Sequence, residues 1–167
     1  MGFFKKLFGG NDAGNDKIAA ALTGKIVNIE NVPDQVFSQK MMGDGIAIEP
    51  TEGKVVAPMN ATVETIFPTK HAIGLKGENG IELLIHVGLD TVNLKGEGFT
   101  AHVQAGDKVK AGDVLVEFDL DFIRANAPST ITPIIVTNHD QFELSARPAE
   151  GTAVVAGDTE LFKAKHK

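Results

Sequence analysis

The sequence contains no cysteine, no tryptophan and no tyrosine. Without cysteine the chain can form neither a disulfide nor a thiolate zinc site, and it has no thiol nucleophile. A reducing compartment is compatible with that composition. All ten aromatic residues are phenylalanines, so platforms for stacking bases are few. An excess of positive charge is missing too. Sixteen Lys and Arg against 22 Asp and Glu give a net charge of −6, the opposite of a surface built for nucleic-acid phosphates. No apolar run approaches the roughly 18 residues of a membrane span. Neither a Gly-x-Ser-x-Gly nucleophile elbow nor a Gly-x-x-x-x-Gly-Lys-[Ser/Thr] phosphate loop occurs.

What is present suits one globular domain: 167 residues, 43% hydrophobic and 23% charged. Residues 1–17 are read as a flexible lead rich in Gly and Asn, and residues 18–167 as the domain. The opening "MGFFKKLFGG" places Phe3, Phe4, Leu7 and Phe8 at helical spacing around Lys5 and Lys6. Two lysines interrupt its apolar stretch, so it does not read as a secretory signal. Lys6 breaks the myristoylation pattern. Residues 1–8 are a candidate amphipathic contact with a membrane surface, and the expected location is the cytoplasm.

Turn signals then recur at short intervals, among them Gly43-Asp44-Gly45, Asn79-Gly80, Gly106-Asp107, Gly112-Asp113 and Gly157-Asp158. Between them lie β-branched runs such as "KIVNI", "IAIEP", "VLVEF" and "PIIVTN". This pattern predicts an all-β protein, an antiparallel sandwich or barrel. Two short helices are expected. One lies within 32–43, with Pro33 near its start and Gly43 after its end. The other lies within 119–128, opening on cap-competent aspartates and stopping before Pro128. A weak internal repeat links "GDKVKAGD" (106–113) to "GTAVVAGD" (151–158). Such Gly-Asp spacings also occur in lipoyl- and biotinyl-type domains, but no hairpin-tip lysine matches here. The repeat predicts a duplicated half-sandwich.

One histidine stands out. His86 follows the apolar run "GIELLI". Strand alternation puts Ile81, Leu83, Ile85 and Val87 on one face and Glu82, Leu84, His86 and Gly88 on the other. Gly88 is expected to leave space beside the imidazole. The preceding strand, "TKHAIGLK" (69–76), carries His71 and joins the next through a hairpin signal at 77–80. A turn centred between Glu78 and Asn79 sets His71 opposite His86; a turn centred on Asn79-Gly80 sets them diagonal. Either register places both rings on one face. Such a pair can act as nucleophile and partner, contribute to a metal site, or titrate as a pH switch; a buried structural contact is the plain alternative. His102, His139 and His166 read as structural or solvated.

"IHVGLDTVNLKGEGF" (85–99), "GDGIAIEPTEGKVVAP" (43–58) and "TKHAIGL" (69–75) resemble, in order, landmarks of the glucose-type enzyme IIA of the bacterial sugar phosphotransferase system. The resemblance implies a β-sandwich of duplicated hybrid motif and a phosphoryl relay. His86 would accept the group from a histidine phosphocarrier protein and pass it to a cysteine of a transporter IIB domain. His71 would stabilise the phosphoryl oxygens, Thr69 would orient His71, and Gly88 and Asp90 would lie near the site. No cofactor is required, although zinc held by His71, His86 and a partner's ligand is known in the family. Regulatory target proteins are further expected partners, and nucleic acid is not. Val36, Phe37, Ile46, Val92 and Phe99 are candidates for an apolar docking patch. At 60–61, Asn-Ala stands where the family often has Asp-Gly. The competing readings are a zinc-dependent endopeptidase of related fold, which needs a His-x-His pair where this chain has Gly88, and a non-catalytic regulatory sandwich.

Overall fold

A computed structural model describes residues 15–167. The strands, in chain order, are β1 (Asn15–Ala19), β2 (Gly24–Asn28), β3 (Asp44–Pro50), β4 (Lys54–Val56), β5 (Ala61–Ile66), β6 (Ala72–Gly77) and β7 (Glu82–His86). They continue with β8 (Phe99–Ala101), β9 (Lys108–Val109), β10 (Val114–Phe118), β11 (Thr132–Val136), β12 (Phe142–Ser145), β13 (Ala153–Val154) and β14 (Glu160–His166). Strand β1 begins inside the segment read as a lead. The candidate membrane contact at residues 1–8 lies outside the described residues.

The strands build an eight-stranded antiparallel sheet in the order β13-β2-β3-β11-β7-β6-β5-β9 and two three-stranded sheets, β1-β14-β12 and β4-β10-β8. Between them lies the main core. Ile26, Ile46, Ile48, Leu83, Ile85 and Ile134 from the large sheet meet Ile18, Leu115, Val116, Leu161 and Phe162 from the small ones. The all-β sandwich expected from the turn pattern is therefore present.

The internal repeat sets the symmetry. Its two copies form β9 and β13, the opposite edges of the large sheet. In one copy Gly106 N donates to Val63 O and Val63 N to Asp107 O; in the other Gly151 N donates to Ile26 O and Ile26 N to Thr152 O. Gly106 and Gly151 both hold positive φ, 97° and 87°, which side-chain-bearing residues rarely adopt. Strand β9 thus corresponds to β13, β5 to β2, β6 to β3 and β7 to β11, with an approximate two-fold between β7 and β11. Asn60 still serves a turn: its Oδ1 accepts from Ala111 N at 3.0 Å.

Both helices form, and both are short. Helix α1 (Gln35–Ser38) is capped by the Asp34 carboxylate, which accepts from Val36 N. It covers four residues of the broader expected stretch. Helix α2 (Leu120–Asn126) is capped by Asp119, which accepts from Phe122 N. The segment carrying α1 folds over the outer face of the large sheet. There Ile29, Val32 and Phe37 make a second core with Ala47, Ala72, Leu84 and Ile135. The alternation read for 81–87 holds: Leu83 and Ile85 enter the main core and Leu84 the outer one.

The hairpin register differs from both expectations. Ala72 pairs with His86, Ile73 with Ile85 and Lys76 with Glu82. The loop is three residues long, with Gly77 N donating to Ile81 O and Gly80 N to Gly77 O. An odd loop moves the pairing by one residue, so Ala72 rather than His71 faces His86.

Candidate active site

His86 ends β7. The ladder between β7 and β11 stops at Ile85–Ile134. Continuing that register, His86 would face Pro133, which has no N–H to give a ladder. On the other side its neighbour is the small Ala72. The imidazole therefore emerges where pairing ends, over the outer face of the sheet.

His71 reaches it by a different route. It lies just before β6, after Lys70, whose φ of 63° turns the chain. Its carbonyl accepts from Val87 N at 2.7 Å, so its backbone is tied to the residue after His86. Outside the strand its ring is free of the alternation rule. The two rings meet edge to face, with centroids 4.9 Å apart and planes at 80°. The pairing expected from the sequence is present, but through a bend and not through cross-strand register.

Each ring is oriented by one further group. Nδ1 of His86 donates to the Gly88 carbonyl at 2.8 Å. A carbonyl only accepts, so Nδ1 carries the proton and Nε2 keeps its lone pair. Nδ1 of His71 lies 2.6 Å from the Thr69 hydroxyl. Phe37 packs against His86 at 5.2 Å and Phe67 stands edge-on to His71 at 5.5 Å. Burial follows from these neighbours: His71 is 3% exposed.

That burial sets the charge state. Desolvation, reinforced by the neighbouring His86, pushes the His71 pKa down to about 4. Desolvation also lowers that of His86, against the opposing pull of the Gly88 carbonyl and the Asp34 and Asp90 carboxylates. Both rings are neutral at pH 7. The arrangement offers one unprotonated nitrogen as a nucleophile, beside a second neutral imidazole whose far nitrogen can donate when Thr69 donates to its Nδ1.

Gly88 has a different role from the one its small size suggested. Its φ is 71°, and a Cβ there would lie 2.6 Å from Thr91 Cγ2 and 3.0 Å from Ser129 O. No gap opens beside the ring. Glycine is required by the backbone conformation and close packing, and its carbonyl orients His86. Asp90, also left-handed at φ 56°, starts the short 3-10 helix at 91–94, and its side chain makes no cap there.

The expected apolar patch divides. Val36 and Val92 are exposed, at 39% and 50%. Phe37, Ile46 and Phe99 are buried: Phe37 covers His86, Ile46 faces the main core from β3, and Phe99 packs against Phe118. Met41, Met42 and Phe67 are exposed apolar residues the sequence reading missed. It also missed Asp34, whose signal was a cap-competent residue just after Pro33. His102 pairs with the Glu117 carboxylate and His166 with the Asn79 carbonyl, both away from the pair.

As a resident metal site the pair is incomplete. Among the described residues no three His, Cys, Asp or Glu side chains are grouped to hold an ion. One nitrogen of each imidazole is already engaged by Gly88 or Thr69. The endopeptidase reading therefore finds no support in the residues around the pair.

Residues 16–142 match the family model described as phosphoenolpyruvate-dependent sugar phosphotransferase system, EIIA 1. A glucose-specific EIIA component of that system from Bacillus cereus is 55% identical over 165 residues, covering 98% of this chain and 99% of the relative. A glucose-specific EIIA component from Staphylococcus epidermidis is 56% identical over 160 residues, covering 95% and 96%. The solved structure of a glucose permease IIA from Mycoplasma capricolum superposes with a TM-score of 0.83 at 40% identity, covering 89% of this chain and 95% of that one.

Proposed function

This chain belongs to the EIIA 1 family of the phosphoenolpyruvate-dependent sugar phosphotransferase system, and we propose that His86 is the residue on which it carries the phosphoryl group. The chain is a phosphoryl carrier of that system. The observation that supports His86 is its hydrogen bond from Nδ1 to the Gly88 carbonyl, which leaves Nε2 as the nucleophile.

The upstream donor is a histidine phosphocarrier protein. Nε2 of His86 attacks its phosphorus; the new N–P bond forms as the old one breaks, and the donor imidazole leaves with the electron pair. In the second step a cysteine thiolate of a transporter IIB domain attacks the same phosphorus. The S–P bond forms as the N–P bond breaks, Nε2 takes back the electron pair, and His86 leaves as a neutral imidazole because Nδ1 has kept its proton on the Gly88 carbonyl throughout. His71, held by Thr69, donates its remaining N–H to the phosphoryl oxygens as charge shifts among them, the kind of positioned stabilisation that dominates phosphoryl transfer. The exposed Val36, Met41, Met42, Phe67 and Val92 supply the apolar surface on which both partners dock.

The relatives' names are those of glucose-specific components, so a glucose-type transporter is the proposed acceptor. Exchange with such partners places the chain on the cytoplasmic side of the membrane. Among the described residues no helix is long and apolar enough to cross a membrane. Zinc has no step in this reaction; a partner's carboxylate would have to complete its site.

The test is intact mass after incubation with phosphoenolpyruvate, enzyme I and the phosphocarrier protein. The native chain gains one acid-labile phosphoryl group, His86→Gln gains none, and His71→Gln accepts the group but fails to pass it to a IIB domain. Phosphorylation that survives in His86→Gln contradicts the proposal.

A further inference from the structure

The tautomer of His86 depends on one carbonyl, and glycine is a poor anchor for it. A residue with no Cβ lets the adjoining peptide planes rotate with little steric penalty. If the plane between Gly88 and Leu89 turned over, the Leu89 N–H would approach His86 Nδ1. The ring would then favour the form protonated on Nε2, with no lone pair where phosphorus must bond.

Consecutive peptide planes are held at both ends. In the plane joining Val87 to Gly88, Thr91 Oγ1 donates to Val87 O at 2.5 Å, and Gly88 N donates to Thr132 Oγ1 at 3.3 Å. In the next plane, Gly88 O accepts from His86 Nδ1, and Leu89 N donates to Ser129 O at 3.0 Å. Thr132 completes its own bonding by donating to Thr130 O at 3.0 Å. Both threonines are fully buried, at 0% exposure. A buried hydroxyl is costly unless bonded, and valine would fill either space without that cost. Both hydroxyls are spent on the turn that carries the Gly88 carbonyl.

We propose that Thr91 and Thr132 are positioning residues that fix the Val87–Gly88 peptide and so, together with the Leu89 N to Ser129 O bond that holds the next plane, set the Gly88 carbonyl against His86 Nδ1 and keep Nε2 free. The effect on transfer rests on His86 being the phosphoryl acceptor; the effect on the tautomer does not. Thr132 must accept and donate at once, which serine can do and valine cannot.

The experiment records nitrogen-15 chemical shifts of the His86 ring in the native chain, Thr132→Val, Thr132→Ser and Thr91→Val, beside rates of phosphorylation by the phosphocarrier protein. In the native chain and Thr132→Ser, Nδ1 is protonated and Nε2 is not. In Thr132→Val the Nε2-protonated form grows, and phosphorylation slows by about tenfold, the size of one lost orienting hydrogen bond. Should Thr132→Val not fold, Thr91→Val carries the same expectation from the other end of the peptide. Folded valine variants that keep the native tautomer overturn the clamp. A native chain never phosphorylated at His86 would overturn the carrier assignment instead, and the ring shifts would still decide the clamp.

Discussion

At the scale of the residue, the site is two imidazoles made unlike by their partners. His86 faces an obligate acceptor, the Gly88 carbonyl; His71 faces a hydroxyl, which can give or take. Under the proposed function the difference suits His86 to nucleophilic attack and, when Thr69 donates to its Nδ1, His71 to hydrogen-bond donation. Removing the hydroxyl should separate the roles. In Thr69→Val, His86 still accepts a phosphoryl group at close to the native rate, while transfer to a IIB domain slows by about tenfold. Single-turnover kinetics of the two half-reactions measure this; equal slowing of both would show that Thr69 does not act through His71. The residues behind these roles were unequally legible. His86 and His71 could be picked out because imidazoles on or beside an apolar strand need a reason, whereas Thr69 came only from the resemblance to the family. Thr91 and Thr132 could not, because a threonine in a β-rich sequence looks like any strand former until its hydroxyl is seen bonded to one turn.

At the scale of the element, the decisive piece is the connection between β2 and β3. It folds back over the large sheet and sets Phe37 on the ring of His86, with Phe37 only 4% exposed. The sequence marked a short helix there through Pro33 and Gly43, but not which face of the sheet it would cover. Phe37 therefore looked as able to serve a docking patch as a core. Phe37→Ala should cost about 3 kcal/mol of stability by leaving a cavity. It should also raise the His86 titration midpoint, because water reaches the ring. Denaturant melts and a proton NMR titration check both; an unchanged midpoint would mean that Phe37 is packing alone. The hairpin between β6 and β7 carries a further lesson. Asn79-Gly80 correctly marked a turn, yet the loop is three residues, and one residue of register decides every cross-strand neighbour. The rings meet because Lys70 bends the chain ahead of β6, a backbone choice that residue type did not signal.

At the scale of the whole molecule, the sandwich is two interleaved copies of one motif. The repeat was visible where turn geometry demands glycine, at Gly106 and Gly151. The strand order was not, because β11 inserts between β3 and β7. Such pairing joins segments far apart in the chain and leaves no local signature. The fold also holds His71 neutral, and this makes global stability depend on pH. The unfolded chain protonates that histidine near the ordinary 6.5, the folded one only near about 4. The unfolded state therefore binds more protons between those values. The contribution is full above pH 6.5 and is lost as the pH falls toward 4, by roughly 3 kcal/mol. Denaturant unfolding of the native chain and His71→Gln across this range should give a steeper acid decline in the native chain. Parallel curves would show that His71 is not held neutral by the fold.

The central claim is that the phosphoryl group resides on Nε2 of His86 because Nδ1 is committed to the Gly88 carbonyl. Phosphorus–nitrogen coupling in the phosphorylated, nitrogen-15-labelled chain tests it most directly. The account predicts coupling to Nε2 of His86, with Nδ1 still protonated. Phosphorus bonded to Nδ1 of that ring, or to His71, would contradict it.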